Sequence, residues 1–189
     1  MNLEWVEYLS ILLFNNTKSI LRILVMRKFL FFLCIIVCSC TEIECPMDNI
    51  VMMGAGLYDS ETKQKQKISE YLSIAPEGKD TILLNFAQHI DAFYLPLKHE
   101  SGDNNFLLYF SDAYGNYSVD TLKIHQTAIP HLESLDCPST FFHKINSVAW
   151  TSHPLSEIPL TIDSVVISQP SVEYEDQENI KIYLRSVSH

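Results

Sequence analysis

In several stretches after Cys40, apolar residues of this chain recur at every second position. In the last such stretch, Ile180, Ile182 and Leu184 are separated by Lys181 and Tyr183. Alternation of this kind is typical of a β-strand that buries one face in a core. No stretch after Cys40 shows a sustained helical period. The pattern therefore favours an all-β fold for everything that follows Cys40.

Turn-forming residues separate these stretches into short strand candidates, which include IVMMGAGLY (50–58), EYLSIAP (70–76), DAFYLPLKH (91–99), NFLLYFSD (105–112), YSVDTLKIHQ (117–126), IPHLESLD (129–136), FFHKINSVAW (141–150), LTIDSVVIS (160–168) and NIKIYLRS (179–186). Gly54 and Gly56 predict a bulge or a close approach, and Pro96 predicts either an edge strand or a position whose N–H is not needed. SGDNN (101–105) is expected to be a loop and AYGN (113–116) a hairpin turn. Strands at this spacing predict a small antiparallel β-sandwich, Ig-like or related, over residues 49–186.

The segment before Cys40 has the parts of an export signal. Met26-Arg27-Lys28 is a short basic region, and FLFFLCIIV after it is an apolar run too short to span a bilayer as a lone helix. The run ends in Val37-Cys38-Ser39-Cys40, which resembles the lipobox of bacterial lipoproteins. We therefore expect a signal peptide over 26–39, a lipid on Cys40 and a tether over 40–48. Residues 1–25 are interpreted as a mis-assigned extension. The alternatives, translation from Met1 and a membrane helix within 1–37, stay open.

Four of the five cysteines lie between Phe32 and Cys45. Two of them are removed with the signal and Cys40 takes the lipid, which leaves Cys45 and Cys137. In an exported chain such a pair is most simply a disulfide. A metal site and a redox dithiol are the weaker alternatives, because neither cysteine has a CxxC partner or a histidine at ligand spacing.

The whole mature chain resembles a family of small Bacteroidetes lipoproteins classed as a domain of unknown function. The likeness rests on the lipobox, on CPMDN at Cys45, on DCPSTFFHKINSV at Cys137 and on the terminal pair DSVVIS and NIKIYL. Typical members have Cys-Gly where this chain has Cys137-Pro138. The resemblance covers roughly residues 38–185. It implies a lipid-anchored β-rich domain with a Cys45–Cys137 bridge and no assigned activity.

The charge of the chain argues against some partners. From Cys40 onward there are nine basic and 21 acidic residues, a formal charge of −12. Such a domain repels phosphate backbones, so nucleic acid is not an expected partner. The expected location is the outer membrane, held by the lipid and facing either the periplasm or the cell surface.

No catalytic or metal-binding constellation stands out, so we expect no enzyme activity, no metal and no cofactor beyond the covalent lipid. The seven histidines have no ligand spacing and are interpreted as scattered surface residues, although His125 and His131 flank a proline-containing segment. The acidic stretch VEYEDQEN (172–179) lacks the order of a calcium loop and is expected to be solvated.

Aromatic residues near the central hairpin are the candidate binding site. Tyr94, Tyr109, Tyr114 and Tyr117 could stack on a sugar or anchor a protein, although core packing explains many such residues. The leading hypothesis is a non-enzymatic binding or structural module with an envelope protein as partner, and the alternative is a glycan or small-molecule binder. A concave aromatic face would favour the alternative. Thr81, Thr121 and Ser164 lie in segments that resemble an O-glycosylation sequon.

Overall fold

The computed structural model describes residues 26–28, 51–132, 134–155, 160–174 and 177–186. The chain divides into two compact units, Met1–Glu44 and Cys45–His189. In the first unit the described residues, 26–28, are helical. Residues 29–39 of the predicted signal peptide, Cys40 and the whole tether (40–48) lie outside the described residues, and the signal peptide, lipid and tether stay predictions. The described part of the chain contains no helix with the length and apolar character needed to cross a membrane.

The second unit is built from β-strands, as predicted. They are β1 (Met52–Asp59), β2 (Tyr71–Pro76), β3 (Leu84–Ala87), β4 (Ala92–Pro96), β5 (Gly102–Ser111), β6 (Tyr117–His131), β7 (Thr140–Trp150), β8 (Leu160–Ile167), β9 (Ser171–Val172) and β10 (Glu178–Ser186).

The strands form two sheets that pack as a sandwich. One sheet has four strands in the order β4-β1-β10-β8, and the other has six in the order β3-β2-β5-β6-β7-β9. All neighbouring strands are antiparallel except β1 and β10, which are parallel. The parallel pair departs from the predicted antiparallel pattern. It is possible because β1 opens the domain and β10 closes it, so no tight hairpin joins them.

Alternating side chains from both sheets fill the core. Leu72 and Ile74 of β2 and Ile180, Ile182 and Leu184 of β10 are each completely buried. The residues between them lie on the outer faces, which is the period-two pattern seen in the sequence. The same pattern leaves alternate residues of β2, β5 and β6 on the outer face of the six-stranded sheet.

Two features inferred from single residues are confirmed. β4, which ends at Pro96, is an edge strand. The register of β1 against β10 shifts between Gly54 and Ala55. A side chain at Gly54 would collide with the backbone oxygen of Gln177, so the glycine permits a close approach of the two strands.

Two local predictions were wrong. The segment 101–105 is not a loop, because β5 begins at Gly102 and its Asn104 pairs with Ile124 of β6. Asn104 is buried, and its Oδ1 accepts a hydrogen bond from the Lys98 backbone N–H at 2.9 Å. The stretch 129–136 is not a separate strand, since β6 continues to His131 and the described residues 132 and 134–136 lie outside strands.

Candidate functional site

The structure brings together two of the four candidate tyrosines. Tyr109 of β5 and Tyr117 of β6 pack with ring centroids 6.2 Å apart. Tyr114 lies at the tip of the connecting turn and is 92% exposed. Tyr94 lies on β4 in the four-stranded sheet, so it does not share a sheet with the others. The predicted grouping of four tyrosines is therefore reduced to a pair.

An irregularity in β3 adds Phe86 to this aromatic surface. Leu72 pairs with Ala87 and Ile74 with Leu84, so β3 carries one more residue than the facing part of β2. Phe86 lies in this bulge with a φ of 46° and is 64% exposed. Bulges often redirect a side chain next to a binding site, and a left-handed conformation at a bulky residue costs free energy. The spacing of residues in the sequence does not indicate this bulge in β3.

Two contacts hold Phe86 in this conformation. Its backbone N–H donates a hydrogen bond to the Ser73 Oγ at 3.0 Å. Its ring meets the Tyr71 ring edge-on, with centroids 6.2 Å apart. Both partners are outward-facing residues of β2, so the neighbouring strand supports the strained residue.

Phe86, Tyr109 and Tyr117 border a groove of about 530 Å³ on the outer face of the six-stranded sheet. We call it the aromatic groove; it is lined by Phe86, Tyr109, Tyr117, Ile82, Ser73 and Asn85, with Lys79, Thr81, Asp80 and Asp112 among the remaining residues. The volume is within the usual range for small-molecule sites, and apolar walls with a few polar groups are their usual composition.

The turn at one end of the groove is held by Asp112. Its Oδ1 accepts hydrogen bonds from the backbone N–H groups of Tyr114 at 2.8 Å and Asn116 at 3.0 Å, and its Oδ2 accepts one from the Asn116 side chain. The Asn116 side-chain hydrogen bond is the main cause that lowers the pKa of Asp112 below its ordinary value. Gly115 has a φ of 90°, which only glycine adopts readily. The AYGN turn is thus confirmed and fixes the spacing of the hairpin.

Two histidines correct the expectation that all seven lie scattered on the surface. His143 is 2% exposed and its Nδ1 lies 3.2 Å from Gln126 Oε1. The His153 side chain is also buried, and its Nδ1 lies 2.8 Å from Asp120 Oδ1. Both are tolerated inside because a polar partner satisfies one ring nitrogen.

The histidines that flank the proline-containing segment have separate partners. His125 pairs with Asp103 at 2.7 Å, while His131 stacks on Phe142 with centroids 4.2 Å apart. Among the described residues, no group of three or more His, Cys, Asp or Glu side chains is arranged to hold a metal ion.

The other candidate residues are placed as follows. Cys137 is buried in the segment before β7 and makes an interaction within the protein. Cys45 lies outside the described residues, so the pairing of the two cysteines stays a prediction. Thr81 is exposed in the loop that lines the groove, and Thr121 and Ser164 are half-buried on β6 and β8. Within the acidic stretch 172–179, Val172 is buried and Glu178 pairs with Lys65 at 3.7 Å.

Two packed sheets with a concave aromatic surface on one of them define a β-sandwich domain with an open groove. A family described as "Family of unknown function (DUF6452)" matches residues 71–184, more than half of the chain. The chain therefore belongs to this family. No curated protein and no solved structure matches it. The matched segment contains β2 to β9 and most of β10, and thus the whole aromatic groove.

Proposed function

We propose that this protein is a non-enzymatic binding module whose aromatic groove holds a glycan. The observation that carries the proposal is the concave surface formed by Phe86, Tyr109 and Tyr117. Aromatic rings stack on the apolar faces of sugar rings, while neighbouring polar groups bind the hydroxyls. Ser73, Asn85 and Asp80 supply such polar groups along the same groove. Of the two functions expected from the sequence, the geometry thus favours the glycan binder.

The position of Phe86 supports this proposal independently. A largely exposed aromatic ring gains little from packing, yet Phe86 is held at a φ of 46° that costs free energy. Strain of this kind is retained where the rest of the structure over-determines it, often at ligand sites. The strained residue and the tyrosine pair border the same groove.

A glycan array probed with the full-length protein in detergent tests the proposal, followed by calorimetric titration of the best ligand. Tyr109→Ala and Tyr117→Ala should each weaken binding roughly tenfold, because each ring supplies on the order of 1 kcal/mol or more. Tyr94→Ala and Tyr114→Ala are the matched controls and should leave the affinity unchanged, since neither residue lines the groove. An array without a hit, or an equal loss in the Tyr94 variant, contradicts the proposal.

The location proposed for this module is the outer membrane, with a lipid on Cys40 as its anchor. The supporting observation is the sequence from Met26 to Cys40, which has a basic region, an apolar run and a lipobox-like end. Acyl chains on one residue hold a domain at a membrane without a spanning helix. Labelling with radioactive palmitate should be lost in Cys40→Ala and retained in Cys34→Ala. Labelling that persists in the Cys40 variant contradicts the anchor.

An envelope protein is the second candidate partner. The observation that favours it is a set of exposed apolar side chains between β6 and β7, of which Leu132 is 54% and Leu135 is 93% exposed. Exposed apolar residues at one place often mark a protein contact. Crosslinking in the native membrane, with and without Leu135→Asp, tests this candidate. A crosslinked protein that is lost in the variant supports it, and an unchanged pattern contradicts it.

A further inference from the structure

The aromatic groove carries a net negative charge. Its charged lining residues are one lysine, Lys79, and two aspartates, Asp80 and Asp112, which together give a charge of −1. From Cys40 onward the chain has a formal charge of −12. A cleft concentrates the electric field of the protein around it, so a cation is attracted to the groove and an anionic ligand is repelled.

The two carboxylates come from different loops. Asp112 begins the turn between β5 and β6, and the hydrogen bond from the Asn116 side chain lowers its pKa, so this carboxylate stays ionised. Asp80 is exposed in the loop between β2 and β3, and it forms no hydrogen bond or ion pair with another described residue. Its oxygens are therefore available to a ligand, and hydrogen bonds from an ammonium group to a carboxylate are strong.

The aromatic rings of the groove add to this attraction. The face of an aromatic ring attracts a cation that lies over it. On the four-stranded sheet a lysine of the protein takes this position, as Lys63 does at 4.5 Å from the centre of the Tyr183 ring. No described lysine or arginine lies in this way over Phe86, Tyr109 or Tyr117. A cation on a ligand can therefore occupy the faces of these three rings.

Lys79 weakens the attraction without cancelling it. Its side chain is exposed, and it forms no ion pair with a described carboxylate, so it leaves Asp80 and Asp112 unneutralised. The sign of its effect is opposite to that of Asp80, and this difference gives the two residues opposite roles in a test.

We propose that the glycan in the aromatic groove is an amino sugar with a free amine, which binds as an ammonium ion. This inference rests on the proposed function. Asp80 accepts a hydrogen bond from the ammonium group, while the charge of Asp112 and the faces of Tyr109 and Tyr117 attract it. Acetylation removes the positive charge of an amine, so the N-acetylated form of the same sugar lacks these interactions.

Calorimetric titration of the full-length protein in detergent tests the inference with a matched pair of ligands. The pair is the trisaccharide of glucosamine and its fully N-acetylated form. In a mildly acidic buffer of low salt the free amine should bind roughly tenfold more tightly, because only the ammonium ion is attracted to the carboxylates and the ring faces. Added salt should reduce this preference, since it screens the attraction between exposed charges.

Asp80→Asn removes one charge at an exposed position, where folding is not at risk. It should abolish most of the preference and leave the affinity for the acetylated sugar nearly unchanged, because an amide still bonds with hydroxyl groups. Glu61→Gln removes the same charge at an exposed position outside the groove and should preserve the preference. Lys79→Met should strengthen binding of the free amine, and the exposed Lys144→Met, its control, should not.

Equal affinity for the two trisaccharides, or a preference that survives Asp80→Asn, overturns this inference while the groove proposal stands. Array ligands that all lack a free amine have the same meaning. Choline is a further probe, since it offers an ammonium group without a sugar. Choline that binds as tightly as the glucosamine trisaccharide would show that the sugar contributes nothing, and would overturn both proposals. Failure of every glycan on the array also overturns both.

Discussion

The carboxylate of Asp120 and the imidazole of His153 lie 2.8 Å apart in the interior of the sandwich. Asp120 belongs to β6 of the six-stranded sheet and is completely buried. Its Oδ1 also accepts the His153 backbone N–H, and its Oδ2 accepts hydrogen bonds from Thr161 Oγ1 and the Ile162 N–H of β8. Because β8 belongs to the four-stranded sheet, a single carboxylate joins both sheets.

We expect Asp120→Asn to lower the free energy of unfolding by about 3 kcal/mol or more. The substitution replaces an acceptor with a donor that faces other buried donors, and hydrogen bonds to a charged group are each worth about 1.5–3 kcal/mol. Urea denaturation of the wild-type and variant proteins measures the difference. Asp103→Asn is the matched control, since its pair with His125 is half exposed, and should show no measurable change. Equal stability of the two variants would contradict the joining role of Asp120.

The second prediction concerns the dependence of folding stability on pH. Burial, with a smaller contribution from the charge of His99, lowers the pKa of His143 from 6.5 to about 4. Between these values the unfolded chain binds a proton that the folded protein excludes, so stability is fully present above pH 6.5 and is lost as the pH falls towards 4. The loss is at most about 3 kcal/mol.

Denaturation midpoints measured from pH 7.5 to 4 check this dependence on His143. The His143→Gln variant keeps a polar side chain but does not titrate, so its stability should change less over the same window. The exposed carboxylates titrate in both proteins and cancel in the comparison. Parallel curves for wild type and variant would assign the acid sensitivity to other groups.

The third prediction concerns the two glycines of β1. A side chain at Gly54 would meet the backbone oxygen of Gln177, whereas one at Gly56 would meet the Glu178 carboxylate. A backbone atom cannot move as easily as the end of a side chain, so Gly54→Ala should cost more than Gly56→Ala. Overpacking of this kind costs about 1–3 kcal/mol. Chemical denaturation of the two variants ranks them, and a larger loss at Gly56 would contradict the explanation.

The fourth prediction concerns Cys137. If it pairs with Cys45, the bridge closes a loop of about ninety residues and stabilises the domain by up to roughly 4 kcal/mol. When the protein is alkylated without reductant, mass spectrometry should find both cysteines unmodified. Cys137→Ser should expose the Cys45 thiol to alkylation and lower the denaturation midpoint. A Cys45 that alkylates equally in the wild-type protein would rule the bridge out.

The features that the sequence predicted correctly depend on local patterns. Alternation at Ile180, Ile182 and Leu184 identified a half-buried strand because the side-chain period of a strand is two. Pro96 indicated an edge strand because it has no N–H to donate.

The features that were missed depend on residues far apart in the chain. The Oδ1 of the buried Asn104 in β5 accepts a hydrogen bond from the Lys98 N–H, and no spacing in the sequence shows this contact. The sequence groups Tyr94 with Tyr109 because the two residues are close along the chain, near the central hairpin. The sheet to which a strand belongs, however, is decided by tertiary pairing. For the same reason no sequence pattern indicates Phe86, whose conformation is supported from β2 by Ser73.

The last prediction separates the effect of the backbone strain at Phe86 on stability from the effect of its ring on binding. Asparagine adopts a positive φ more readily than most other non-glycine residues, whereas alanine keeps the steric cost of its Cβ in this conformation. Phe86→Asn and Phe86→Ala both remove the ring, and both should weaken glycan binding roughly tenfold. In thermal or chemical denaturation, however, the asparagine variant should be about 1 kcal/mol more stable than the alanine variant. Equal stabilities would mean that the φ of 46° carries no strain, and unchanged binding in both would remove Phe86 from the site. A more stable variant with weaker binding would show that this residue trades stability for function.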